Sequence, residues 1–271
     1  MKKVLALICG VALIFVLAGC GDSANGGEGN SSSVNTNENS QQTEKHENKG
    51  YDSIEITADV GAVTITTGEE FSLRTKNINE AWLKTEEDGK KSYKVTYSPD
   101  VSTSSQTGGS THELILTIPE DDCPEEIIIT MGAGYLKANG LKCENIRINQ
   151  SAGAVKINGL TADAGDFRCG AGYFNVENLK IEDKLDITGG MGYCDVSGAF
   201  GEDITINGGV GAMRLDMAGS RDDYAITANT PTRVLYVDHS VYNSTSEDTD
   251  SSKGKITVDG GIGRIDINFA G

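Results

Sequence analysis

The sequence is poor in the residues from which metal and nucleophilic centres are built. It has three histidines, His46, His112 and His239, scattered along the chain. Its six cysteines include no Cys-x-x-Cys pair and no Cys/His cluster, so no metal ligand set is apparent. There is no Gly-x-Ser-x-Gly elbow and no phosphate-binding loop,. No cofactor is expected. Basic residues are also scarce: 23 Lys and Arg face 40 Asp and Glu, a formal net charge of −17. A surface of that sign repels nucleic-acid phosphates and anionic headgroups, so no nucleic-acid partner is expected. A helical period of 3.6 is missing too, and helices would tolerate the many glycines poorly.

What the chain does have is glycine, 34 of them, and they recur. Anchored on Gly134, Gly153, Gly172, Gly192 and Gly211, residues 127–218 repeat at steps of 19, 19, 20 and 19 residues. A fixed period of this size marks a solenoid, each repeat being one coil stacked on the last. Five residues before each glycine stand Ile129, Ile148, Phe167, Ile187 and Ile206. Two and four residues after it stand Leu136/Ala138, Val155/Ile157, Phe174/Val176, Cys194/Val196 and Met213/Leu215. Between those last pairs lie Lys137, Lys156, Asn175, Asp195 and Arg214, which alternation turns outward,. The template extends to Ile54–Ile65, to Tyr224–Pro231 and to Ile256–Ile267. The fold expected is therefore an all-β, single-domain parallel β-solenoid or β-helix of about eight coils, 19–20 residues each.

The first 19 residues read as a lipoprotein signal. Lys2 and Lys3 precede an apolar run, Val4–Val16, too short for a comfortable membrane span,. It ends in Leu17-Ala18-Gly19-Cys20, which resembles the bacterial lipobox; the resemblance implies cleavage before Cys20 and lipidation of that cysteine. With Lys2 and Lys3 removed the formal charge becomes −19. Residues 20–50, rich in Gly, Ser and Asn, offer almost no apolar surface and are expected to be a disordered tether. Residues 51–271 form the folded domain, with 51–120 as first coil and cap and 121–271 as regular coils.

The cap is expected because a solenoid must cover its end coil. Strands over Lys94–Tyr97 and Glu113–Ile118 flank a Ser/Thr/Gly loop, Ser102–Thr111, and Trp82 is expected to pack there. The stretch Leu114–Pro119, followed by acidic residues and Ile127–Thr130 before the first Gly-x-Gly coil, resembles the putative-adhesin family of bacterial envelope proteins. That family is a β-solenoid domain of unknown function, and the resemblance implies surface exposure. No catalytic residues come with it.

Few sites stand out. Cys123 and Cys143 lie about one coil apart, before Ile127 and Ile146, which raises a disulfide between neighbouring coils. Cys194 reads as a buried thiol, with Cys169 near a corner. Tyr173 and Tyr193 follow the corner glycine on adjacent coils, so their rings should stack, either as a stabilising ladder or as a binding surface. Glu247, Asp248 and Asp250 lie in a long loop whose spacing fits no calcium motif. The C-terminal coil, Ile265–Phe269, is expected to expose an edge open to self-association. The expected function is a lipid-anchored, non-catalytic scaffold or adhesin on the outer face of a bacterial, Gram-positive-like cell membrane. It would contact the membrane through its lipid and an extracellular or envelope partner through its surface. The alternative is a glycan-active lyase or hydrolase on a β-helix, which would need converging carboxylates.

Overall fold

The computed structural model describes residues 41–45, 50–89, 91–100, 112–230, 234–242 and 254–271. The signal, Cys20, residues 21–40 of the tether, the Ser102–Thr111 loop and the acidic residues Glu247, Asp248 and Asp250 lie outside the described residues. Among the described residues the regular structure is β-strand apart from two 3-10 turns, Glu80–Trp82 and Arg221–Asp223. No described helix is long and apolar enough to cross a membrane.

The strands fall into three groups in chain order. The N-terminal group is β1 (Gln41–Lys45), β2 (Ser53–Gly68), β3 (Ser72–Lys76), β4 (Leu83–Asp88), β5 (Ser92–Tyr97) and β6 (Glu113–Pro119). The central group is β7 (Glu126–Lys142), β8 (Asn145–Arg168), β9 (Ala171–Thr188), β10 (Tyr193–Ala199), β11 (Asp203–Gly208) and β12 (Ala212–Ala218). The C-terminal group is β13 (Tyr224–Asn229), β14 (Leu235–Val237), β15 (Ser240–Val241), β16 (Gly254–Gly260) and β17 (Arg264–Ala270).

In the centre each coil pairs in parallel with the next, as the period requires. Ile129 lies beside Ile148, Leu136 beside Val155, and Phe174 beside Cys194. The inward columns are buried throughout, Ile129, Ile148, Phe167, Ile187 and Ile206 forming one of them. Each such side chain contributes about 1.5–3 kcal/mol by leaving water, and none could do so without its neighbours above and below. The 20-residue step has a local origin. Ala162 and Ala164 pair with Ile181 and Lys184, so the upper coil carries one additional residue at the Glu182-Asp183 corner.

The corner glycines explain why the repeat tolerates no side chain there. Gly153 has φ +106°, and a Cβ on it would lie 2.0 Å from the carbonyl oxygen of Gly134 below. The same contact links Gly134 to Gly61, Gly172 to Gly153, Gly192 to Gly172, Gly211 to Gly192 and Gly263 to Gly211. The glycines thus form a column in which backbone stacks on backbone.

That column also reveals an order the sequence does not follow. β2 lies against β7 on one side and against β5 and β6 on the other. The first template coil is therefore an interior layer, and β5 and β6 lie outside it. β4 and β3 close this end by antiparallel pairing with β5 and β6. Tyr51, Phe71 and Tyr93 pack edge to face or tilted there, centroids 4.6–5.2 Å apart, and Trp82 lies partly buried against the same core. β1 pairs antiparallel with β3, so the segment read as tether contributes a strand: the exposed edge of β3 offers free ladder groups that a polar chain can fill.

At the other end β16 and β17 insert between two earlier coils. β16 pairs with β11 and β13, and β17 pairs with β12 and β14. The expectation that Ile265–Phe269 exposes a free edge is thus overturned. Ile267 has Leu215 on one side and Val237 on the other, so the ladder over Ile265–Ile267 is taken on both sides. The outer layer is β13–β14 instead, with β15 folding back antiparallel on β14.

Candidate functional site

Strand alternation turns the odd members of each post-corner strand outward. On β10, β12 and β17 this aligns Asp195, Arg214 and Asp266 on successive layers, with Asp216 and Asn268 two residues further along β12 and β17. The side chains engage one another. Arg214 Nε donates to Asp216 Oδ1 at 3.0 Å, and Asn268 Nδ2 donates to the same oxygen at 2.8 Å. Arg264 grips Asp266 through two bonds of 2.6 and 2.7 Å, and its guanidinium lies 4.1 Å from the centre of the Tyr236 ring. Arg214, Asp216 and Asn268 border an open groove of ≈ 440 Å³, whose walls also include Asn178, Ser197, His239 and Phe269. The β14–β15 turn holds Asp238 and His239 at positive φ, 46° and 65°. Asp238 Oδ1 accepts a bond from the Phe269 N–H at 2.9 Å, fixing the turn to β17.

The two carboxylates on either side of Arg214 differ in their surroundings. Burial would raise the Asp216 carboxyl, but the bonds from Arg214 and Asn268 hold it below the usual carboxylate range. Asp195 is raised, chiefly by burial, with Arg214 opposing. Pairing of this kind neutralises carboxylates. Among the described residues no group of three or more His, Cys, Asp or Glu side chains is placed to hold a metal ion. Sequence reasoning missed the groove. Asp216 and Asn268 are 52 residues apart, and only insertion of the last coil brings them together.

One outward column differs from its expected exposure. Asn175, between Lys156 and Asp195 in register, is 5% exposed.

Tyr173 and Tyr193 do stack, with centroids 5.8 Å apart and planes 11° from parallel. Both rings remain exposed, at 42% and 36%. Beside them the residues just before Gly192, Gly211 and Gly263 form a second apolar line: Met191, Val210 and Ile262, 74%, 58% and 76% exposed. Backbone bonds from Val210 N–H to Gly190 and from Ile262 N–H to Gly209 stack these three on successive layers. The alternating pattern gave no notice of this ridge, because corner residues fall outside the strand period.

Cys123, Cys143, Cys169 and Cys194 are all free thiols, Cys123 exposed and the other three buried. Glu144 N–H bonds to the Pro124 carbonyl and Asn145 N–H to the Glu125 carbonyl, so the 19-residue register sets Cys143 beside Pro124. The Cys123–Cys143 spacing of 20 is one residue off, and a one-residue slip moves a side chain to the opposite face. The sulfurs of Cys169 and Cys194 lie 2.8 Å apart and are buried. Cys20 lies outside the described residues.

The family model described as Toastrack DUF4097 matches residues 51–260. Among solved structures, a putative cell adhesion protein from Clostridium sporogenes ATCC 15579 is 16% identical, with 85% of this chain and 98% of that chain covered and a TM-score of 0.45. A putative adhesin from Bacteroides fragilis NCTC 9343 is 14% identical, with 84% and 97% covered and a TM-score of 0.43. No curated protein matches the chain.

Proposed function

The chain belongs to the Toastrack DUF4097 family, and from that premise we propose that it is a lipid-anchored, non-catalytic display protein of the bacterial cell surface. Cys20 carries the lipid, the residues after it tether the domain, and the solenoid presents a recognition face. The observation that supports this reading best is the exposed ridge of Met191, Val210 and Ile262 beside the stacked Tyr173 and Tyr193. Contiguous exposed apolar surface of this kind marks an interaction site, and aromatic residues anchor such sites. The repeat sets the ridge at regular spacing along several coils, which suits an extended partner. The Asp216 and Asp266 carboxylates are held by Arg214 and Arg264, which supports display over glycan hydrolysis, since general acid–base work needs a carboxyl free to exchange its proton.

The test uses cells that carry the full chain. Attachment to purified cell-wall and matrix fractions is compared with that of cells carrying Tyr173→Ala, Tyr193→Ala and Met191→Ser together. Loss of attachment at unchanged surface amount is expected. Equal attachment rejects the ridge, and glycan turnover abolished by a single carboxylate substitution rejects the non-catalytic reading. Cys20→Ala should leave the chain unprocessed or release it from the membrane fraction; normal processing and retention would reject the anchor.

A further inference from the structure

We propose that Cys169 and Cys194 are joined by a disulfide that clamps together the two coils bearing the tyrosine pair. The inference rests on the export reading above for its oxidising surroundings, and on the geometry of one corner for its partners.

That corner has a consistent habit. The residue three positions before a corner glycine points inward and reaches across to the strand that follows the corner in the next coil. Gln150 does so with an amide, its Nε2 donating to the Tyr173 carbonyl at 3.2 Å. Cys169 occupies the same place one coil later, and its Sγ meets Cys194 Sγ on the following coil at 2.8 Å. Two unbonded sulfurs do not rest comfortably so close, whereas a disulfide needs about 2.05 Å. The remaining approach is within the reach of side-chain rotation.

The neighbours explain why the two sulfurs face each other with nothing between. Cys169 N–H bonds to the Thr188 carbonyl at 2.8 Å, so Gly189 lies above Cys169 and adds no side chain. A Cβ at Gly189 would meet Met213 Sδ at 2.7 Å, so the space is already used from the far side. Cys194, in register between Phe174 and Met213, is the side chain left to cover Cys169. The two are 7% and 3% exposed.

The reaction is thiol–disulfide exchange. One cysteine thiolate attacks a sulfur of an external disulfide, either an extracytoplasmic oxidoreductase or a small-molecule disulfide, and forms a mixed disulfide. The other cysteine then displaces the external thiol. Two protons and two electrons leave the pair, and the external disulfide is reduced to two thiols. In the folded chain the Cys194 thiol is held well above its usual range, first by its bond to Cys169 and then by burial. Exchange therefore belongs to the folding chain, before the coils close, and the finished bond is shielded from reductants. Tyr193 adjoins Cys194 and points the other way, so the bond fixes the layers beneath the exposed ring pair.

The test labels thiols in the full chain. Cells are quenched in acid and denatured; free thiols are blocked with iodoacetamide, disulfides reduced, and the released thiols labelled with N-ethylmaleimide. Trypsin separates the cysteines into peptides 169–180 and 185–214, linked before reduction and lighter by two hydrogens than their sum. Both peptides should carry the second label, while Cys123 and Cys143, read in the same digest, report the alternative pairing. Signal removal is read in that sample. An exported chain with Cys169 and Cys194 carrying the first label overturns the proposal. A chain that keeps its signal and reduced thiols overturns the export reading instead. The disulfide is then decided by refolding the purified full chain in reduced and oxidised glutathione, where linked peptides support it and free thiols sink it.

Discussion

The centre and the two ends of this solenoid are built from the same coil but assembled by different rules. From β7 to β12 each coil stacks on the one before it, and the register repeats apart from local shifts around β9. At the ends the chain doubles back. β2 enters between β7 and the β5–β6 layer, and β16–β17 enter between β11–β12 and β13–β14. The centre is held by contacts about one period apart in sequence. The ends depend on contacts such as Leu215 with Ile267, which close only after a long loop and at an entropic cost. The lesson is that a template coil can dock on any layer that presents a matching ladder, and chain order alone does not choose the layer.

The largest expected effect breaks the C-terminal inversion. Ile267→Pro removes a ladder donor and a buried side chain from a strand paired on both sides. A loss of roughly 4 kcal/mol or more is expected, with protection from amide exchange lost in β13–β17 first. Were β17 a free edge, stability would barely change and only self-association would fall. Denaturant melts and exchange by residue separate the two.

The centre is broken next by Gly153→Ala. The new methyl would meet the Gly134 carbonyl at 2.0 Å in a backbone with φ +106°. Strain and overpacking together should cost roughly 2–4 kcal/mol, measured by urea denaturation. Gly260→Ala is the control from the C-terminal end: φ is +68° but nothing lies within 4 Å of its Cβ, so its loss should be about 1 kcal/mol. Equal losses at the two sites would mean that conformation, and not the stacked backbone, sets the requirement.

Smaller effects sharpen the outer face. Tyr173→Ala removes one stacked ring from the central coils and should cost about 0.5–1.5 kcal/mol; a larger loss would make the pair chiefly structural. Asp195→Asn tests the charge balance of the outward column it shares with Arg214. Burial raises the Asp195 carboxyl in the folded state above its unfolded value, so the native protein prefers it protonated and loses stability as the pH rises through that interval. The asparagine variant should therefore melt slightly higher at neutral pH. That advantage should shrink as the pH falls through the folded pKa, and a constant difference across pH would assign it to packing.

The candidate site was only partly legible for related reasons. Stacking of Tyr173 on Tyr193 follows from their shared place after the corner glycine, which any reader of the period can align. Asn175 sits in the same outward column as Lys156 and Asp195, yet is nearly enclosed, because alternation assigns a face and not the cover that neighbouring side chains supply. The ridge of Met191, Val210 and Ile262 was hidden by its position at corners, where burial follows neither strand nor helix period.

Glycine spacing and inward Ile, Val, Leu and Phe by themselves determined that the chain coils, with a β cap at its start, and which residues face the core. Each of those signals is local: a coil reports its own alternation and its own corner. Tertiary structure alone decided which coils are neighbours at the ends, that Asn268 completes the bonding of Asp216, and that Cys169 meets Cys194. Parallel backbone ladders are chemically alike from one coil to the next, so the choice among them rests on side-chain fit and loop closure, which no single repeat records.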